Sequence, residues 1–325
     1  MPSTRRDFGA AVAAVAAGAV LPASSFAQGY PDRSVRVVMP FAPGGITDIL
    51  ARLVAKGLSD GLGQAFVVDN RPGANGTLGT QSVINSAPDG YTLLFSPAST
   101  HTVTPLVTKT TYDPVADLAP IGTVASTPLI LLVNPQVPAR NTAELVAWLK
   151  AGKGQASYGS YGTASASHLA GELFKQQAGV AMTHIAYKGG APAQMDLIGG
   201  QIALMFSDVS GMQHVRNGRL RAIALTSLKP SASFPGLPTV AETLPGFEVG
   251  GWFALYAPRG TPKAVVDRVA GELQKVVSAE AFRARLAESG LDPFSISAES
   301  VQALTRAERQ KWTKLIADAN IKLEQ

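Results

Sequence analysis

The chain has 325 residues, with 28 Lys and Arg against 23 Asp and Glu, 46% hydrophobic and 16% charged residues, and no cysteine. It is too apolar for a disordered chain and longer than one hydrophobic core commonly serves, so two lobes are expected. Lack of cysteine excludes a disulfide, a thiolate zinc site, a thiol nucleophile and a lipid-anchored N-terminal cysteine, and the small, scattered positive excess favours anionic small ligands but forms no basic stripe of the kind nucleic acid needs.

Arg5 and Arg6 precede an apolar run over residues 10–21, too short for a bilayer span of about 20 residues. Ser25 and Ala27 fit a small-x-small cleavage exit, so residues 1–27 are expected to be an export signal. The arginine pair followed by Phe8 points to the twin-arginine route, and general secretion is also compatible with it. No later apolar run approaches spanning length, so the mature protein is expected to be soluble.

Residues 34–41 form a β-branched strand that stops at Ala42-Pro43-Gly44-Gly45, after which Ile46, Ile49, Leu50, Leu53, Val54 and Leu58 recur at helical spacing. A strand over 65–68, a turn over 71–76, a helix from 77 to about 86 and a strand over 91–95 follow. A long apolar stretch over 121–133 is interrupted by Pro128, and a second alternation begins: helix 142–150, strand 156–159, a polar loop over 160–165, and a helix with Leu169, Leu173 and Phe174 on one face. It continues with 184–187, 192–199, 202–206 and 221–226, then a Pro-rich connection over 229–245 and an extended apolar segment over 250–257. Thr261 and Pro262 offer an N-cap and first position for a helix that buries Val265, Val269, Leu273 and Val276. A last helix from about 298 carries Trp312, Leu315 and Ile316.

This alternation predicts an α/β protein of two lobes, each a mostly parallel sheet flanked by helices. One lobe takes residues 28–126 and 251–325, the other 127–250, and chain crossings near 122–132 and 247–257 form the hinge. Two loops are matched. In each lobe a strand runs into a loop of glycines and hydroxyls and a helix begins at once. A helix start leaves about four N–H groups unpaired and carries roughly half a positive charge, so the pair can hold an anion between the lobes, beyond the carboxyl ends of the strands. Either loop alone is equally explained by tight packing.

Phe41-Ala42-Pro43-Gly44-Gly45-Ile46-Thr47-Asp48, Asn70-Arg71-Pro72-Gly73-Ala74-Asn75-Gly76 and Ala87-Pro88-Asp89-Gly90-Tyr91-Thr92 resemble motifs of the Bug family, the periplasmic receptors of tripartite tricarboxylate transporters. So do Ser167-His168-Leu169, Tyr187-Lys188-Gly189-Gly190, Leu237-Pro238-Thr239-Val240-Ala241-Glu242 and Ala257-Pro258-Arg259-Gly260-Thr261-Pro262, with matching spacing from about Tyr30 onward. The resemblance implies a periplasmic-binding-protein fold of the type II, flytrap-like kind, closing on a carboxylated solute held by the same two loops. It places that role on Gly44, Gly45, Ile46, Thr47 and Asp48 and on Ser160, Gly162, Thr163 and Ser165, and implies delivery to the membrane subunits of such a transporter. Tyr161 and Ala164 depart from the family, where smaller residues or glycine are frequent, and Ala164 resists the positive φ that glycine accepts.

Other candidates carry two readings. Asp48 either meets its helix dipole or touches ligand; Asp208, at a strand end, either receives a ligand amine or hydroxyl or caps a turn. Ser96, Ser99, Thr100 and His101 either hold the ligand's far end or form an ordinary loop. The four histidines show no metal-ligand spacing, so neither metal nor cofactor is expected. The expectation is a monomeric periplasmic receptor for a small organic acid, not an enzyme. The alternative is a hydrolase or acyl-transfer enzyme using Ser165 with His168, for which the sequence offers no third, orienting group.

Overall fold

The computed structural model describes residues 29–152 and 154–321; the expected export signal lies outside them. The first alternation folds as β1 (Val35–Met39), α1 (Ile46–Leu62), β2 (Phe66–Asn70), α2 (Thr77–Ile84), β3 (Thr92–Pro97), two short helices α3 (Ser99–Thr102) and α4 (Thr104–Val107), and β4 (Leu118–Pro128). The second comprises β5 (Ile130–Val133), α5 (Thr142–Ala151), β6 (Ser157–Ser160), α6 (Ala166–Ala178), β7 (Thr183–Ala186), α7 (Gly190–Ile198), β8 (Leu204–Ser207), α8 (Met212–Arg216) and β9 (Arg221–Leu225). The chain returns through β10 (Gly250–Pro258), α9 (Lys263–Ser278), α10 (Glu280–Glu288), β11 (Asp292–Pro293) and α11 (Ala298–Asp318). Helix α9 starts one residue later than expected: Pro262 is its N-cap, and the Thr261 hydroxyl donates to the Pro258 carbonyl at 2.8 Å.

The strands make two sheets, ordered β11-β4-β10-β3-β1-β2 and β7-β6-β8-β5-β9. The expectation of mostly parallel pairing is corrected: both sheets are mixed. Strands β2 and β3 flank β1 in parallel and β7 and β8 flank β6 in parallel, but β10 runs antiparallel between β3 and β4, and β5 antiparallel between β8 and β9. The reason is topological. A strand arriving from the other sheet enters at the end where the resident strands finish, so it has to run against them.

The register then fixes where the loops lie. Gly250, at the start of β10, pairs with Pro128 at the end of β4, and Phe253 pairs with Pro97 at the end of β3. Ile130, at the start of β5, pairs with Ser207 and Leu225, the last residues of β8 and β9. The carboxyl ends of β1, β3, β6 and β8 therefore all point to the crossover between the sheets.

Each sheet is packed on both faces. Leu50, Val54 and Leu58 of α1 meet Val265, Val269 and Leu273 of α9 on one face of the first sheet, and Leu169, Leu173 and Phe174 of α6 join Leu145 and Leu149 of α5 on the second. Each such fully buried side chain contributes roughly 2 kcal/mol. Helix α11 enters both interiors: Val301 lies in the cluster with Trp252 and Tyr256 of β10, whereas Trp312 and Leu315 lie in the second sheet's cluster with Phe174 and Phe247.

The crossings are tied by one threonine. The buried Thr226 hydroxyl accepts from the Leu129 amide at 2.7 Å and stands against the carbonyls of Leu129 and Val249, the two residues at which the chain leaves one sheet for the other. A side chain at Gly250 would put its Cβ 2.8 Å from the Thr127 carbonyl oxygen, so the strands approach there as only glycine permits.

Candidate functional site

The first loop leaves β1 and bends at Gly44, whose φ of 94° lies in the region that favours glycine. Gly44 and Gly45 are exposed, and a Cβ on either would meet open space. Helix α1 makes its first bond from Ile49 to the Gly45 carbonyl at 3.0 Å, leaving the amides of Ile46, Thr47 and Asp48 at its start without an intrahelical acceptor. The Asp48 carboxylate is buried and turned into its own lobe. It accepts from the Gly44 backbone amide at 3.0 Å, from Arg52 at 3.0 Å through both oxygens, and from the Asn70 side-chain Nδ2 at 2.9 Å. Burial opposes its charge, but the Arg52, Asn70 and Gly44 bonds outweigh that and hold its pKa at about 2. The two expectations for Asp48 are the helix dipole and ligand contact; here its carboxylate oxygens accept four bonds from Gly44, Arg52 and Asn70 within its own lobe.

The second loop follows β6 and is bound mostly to itself. The buried Ser160 hydroxyl accepts from the Gly162 amide at 3.2 Å and lies 2.7 Å from Nε2 of His184. Gly162 takes φ 134°, and Ala164 adopts the positive φ expected to be difficult for it, 59°. Ser165 caps α6: its hydroxyl accepts from the His168 amide at 3.3 Å and lies 2.7 Å from the Gly162 carbonyl. The Tyr161 amide donates to the Ser167 hydroxyl at 2.9 Å and the Ala164 amide to Nδ1 of His168 at 2.9 Å. What remains outward are the exposed Thr163, whose amide has no acceptor among the described residues, and the amide of the exposed Ala166 at the first turn of α6; Ser167 beside it is fully buried. Tyr161 does not fold over the loop. Its hydroxyl reaches across to β8, donating to Ser207 at 3.3 Å and accepting from the Asp208 amide.

The remaining candidates separate. Ser99 is exposed at the start of α3, at the crossover end of β3, whereas Ser96 is wholly buried within that strand, with its hydroxyl on the Pro97 carbonyl. Asp208 caps a single turn, its carboxylate accepting from the Ser210 amide at 2.9 Å, so the turn-capping alternative describes it. The Ser165–His168 pair of the hydrolase reading is not formed: Nδ1 of His168 is taken by the Ala164 amide and Nε2 faces Glu172 at 3.9 Å. No cluster of three metal-ligating side chains occurs among the described residues, and no helix there is long and apolar enough to cross a membrane. Two surface concavities of about 800 and 470 Å3, lined by Arg259, Arg306 and Arg309 and by Trp148, Gln155 and Gln201 respectively, touch neither loop. Sequence reasoning missed Arg52, Asn70, Ser167 and His184 as supports. Arg52 carried a local signal, its i,i+4 spacing from Asp48, while Asn70 and Ser167 stood within the motifs quoted above without a role assigned to them.

Two mixed α/β sheets joined by paired crossings, with open helix starts from both sheets aimed at the join, define the two-lobed class of periplasmic solute-binding proteins. A family profile for the tripartite tricarboxylate transporter family receptor matches residues 50–321, and the chain belongs to that family. It is 35% identical over 312 residues to Protein BugT of Bordetella pertussis, covering 95% of each chain. Among solved structures it is similar to an R. palustris protein described with adipate (34% identity, TM-score 0.73, 90% of this chain and 99% of that one). It is also similar to MatC from Rhodopseudomonas palustris with bound malate (29% identity, TM-score 0.68, 88% of this chain and 100% of that one).

Proposed function

We propose that this chain is an extracytoplasmic receptor that captures a small carboxylate between its lobes and hands it to the membrane subunits of a tripartite tricarboxylate-type transporter. The observation that carries this is the convergence of two open helix starts on one crossover, in a family with solved relatives described with adipate and malate. One carboxylate accepts from the amides of Ile46 and Thr47, with Gly44 and Gly45 giving it room; the other lobe offers the amides of Thr163 and Ala166 and the Thr163 hydroxyl. Ser160, Gly162, Ser165 and Asp48 shape the loops, and Ser99 faces the distal part of the solute. Residues 28–126 and 251–325 make one lobe and 127–250 the other, with α11 spanning both; residues 1–27 direct export to the periplasm, and the receptor acts as a monomer without enzymatic activity.

Binding that favours the closed form shifts its population, and a ligand at 100 times its Kd stabilises by about 2.7 kcal/mol. A thermal-shift panel of adipate, malate, tricarboxylates, acidic amino acids and aromatic acids tests the reading. A rise in Tm with at least one acid is expected. No rise with any acid, beside a rise with neutral sugars, overturns it.

A further inference from the structure

Beneath the second loop lie two histidines that the capture of an anion does not itself require. The rings of His168 on α6 and His184 on β7 are stacked, with centroids 3.7 Å apart and planes within 7°. Each touches the loop from below: Nδ1 of His168 accepts the Ala164 amide at 2.9 Å, and Nε2 of His184 lies 2.7 Å from the Ser160 hydroxyl, which in turn accepts from the Gly162 amide at 3.2 Å.

We infer that His168 and His184 are positioning residues for the second loop, and that this loop holds an anionic ligand only while both rings are neutral. The inference rests on the carboxylate-receptor reading above. Its chemistry follows from which atoms carry protons. An Nδ1 that accepts from the Ala164 amide has no proton, so His168 is the neutral tautomer with its N–H on Nε2, turned toward Glu172. Ala164 sits at φ 59°, where its methyl group is disfavoured, and the bond to His168 opposes its relaxation. A second proton on His168 can only go to Nδ1. Two N–H groups then face each other, the bond is lost, and Ala164 relaxes together with the neighbouring Thr163 amide. A proton on His184 as well would stack two cations face to face.

The surroundings do not offset this. The charged and titratable groups facing the pair are Glu172 and Lys175 on α6 and Tyr158 on β6; β7 adds only His184 itself. Glu172 is already engaged by Lys175 at 2.8 Å and by the Tyr158 hydroxyl at 2.6 Å, and Asp318 of α11 is turned to Gln176 and Lys314. Burial, and then the neighbouring His184, push the His168 pKa down to about 4, and burial lowers that of His184 too. The pair is therefore neutral at neutral pH and the loop is set. As pH falls toward 4 the rings charge and the second lobe lets go. By linkage, a ligand that needs the neutral pair also resists its protonation.

The test joins a rescue series to a pH profile. Adipate affinity, or that of whichever panel acid shifts the melt most, is measured by calorimetry from pH 7.5 to 3.5 in the parent, H168L, H168N and H168N/H184Q. H168L, which offers no acceptor, is expected to bind about tenfold more weakly at pH 7.5, the order of one lost hydrogen bond. H168N restores affinity because its Oδ1 takes the place of Nδ1, and the parent-to-variant ratio, which cancels the acid's own titration, falls about fourfold by pH 3.5 as the ring charges. Parallel pH profiles, or H168L as tight as the parent, overturn the inference. A ligand-free arm follows the Ala164 amide by 15N NMR: it moves with the His168 titration in the parent and not in H168N. If no acid binds at pH 7.5 while that amide tracks the ring, acid capture fails and the ring–loop coupling stands. If an acid binds and the amide ignores the ring, the coupling fails.

Discussion

The loop after β1 is organised by charge, the loop after β6 by neutral groups. At the first, a buried carboxylate gathers an arginine, an asparagine and a backbone amide, and the glycines above it are free of other work. At the second, three serine hydroxyls and the His168 imidazole trade bonds with the loop's own backbone, His184 holds the Ser160 hydroxyl, and an alanine takes a positive φ as Gly44 does at the first. The comparison teaches that two helix starts presenting the same kind of electropositive end answer to different variables. The first keeps its geometry wherever Asp48 is ionised; the second keeps it wherever His168 is not.

Four experiments test this contrast. Removing the hub in D48A is expected to cost about 3 kcal/mol by denaturant unfolding, since several bonds to a buried charge go at once; an unchanged midpoint would dismiss the charge clamp. Next, Gly45→Val is expected to leave stability intact, because its φ of −81° suits any residue and a Cβ there meets open space. It should nonetheless weaken acid binding tenfold or more, about 1.4 kcal/mol, by denying the ligand its approach; unaltered affinity in calorimetry would move the ligand elsewhere. Smaller still is a mirrored pair. Gly44→Ala, at φ 94°, should lose about 1 kcal/mol and Ala164→Gly, at φ 59°, should gain a similar amount; equal signs would refute the strain at Ala164.

The last effect is read from pH alone. The Asp48 pKa is depressed by folding, so its stabilisation is present above 3.8 and lost as pH falls through about 2. The His168 pKa is depressed from 6.5 to about 4 by burial, so the unfolded chain takes up its proton first and stability declines as pH falls across that window. His101, buried in the first lobe with its pKa at about 3, loses stability in the same direction. H168N should therefore flatten only part of the decline above pH 4, and D48N only the part below. A profile unchanged by both would remove the distinction.

The alternation of strands and helices was legible because 2-residue and 3.6-residue periods differ plainly, and the strand-glycine-helix junctions at Gly44 and Gly162 marked where the loops would be. Direction was not. Residues 130–133 and 250–258 are apolar runs that carry no sign of which way they lie, and only the crossover makes them antiparallel. Nor could spacing say which amides stay open in the second loop. That depends on Ser167 and His168, side chains of the following helix that reach back to Tyr161 and Ala164. Trp312 and Leu315 sat at helical spacing, but periodicity names a buried face without naming the core it enters.

Helix α11 threads the hydrophobic interior of one half and then that of the other, its Glu308 accepting from the Trp252 indole at 2.9 Å midway. A rod shared in this manner makes the halves poor candidates for separate expression: a fragment ending before Ala298 would keep a Trp312-sized hollow beside Phe174, and the isolated C-terminal piece would carry an oily flank into water. Hinge motion inherits the same restraint, because swinging the halves apart must tilt or slide that rod rather than merely bend two strands.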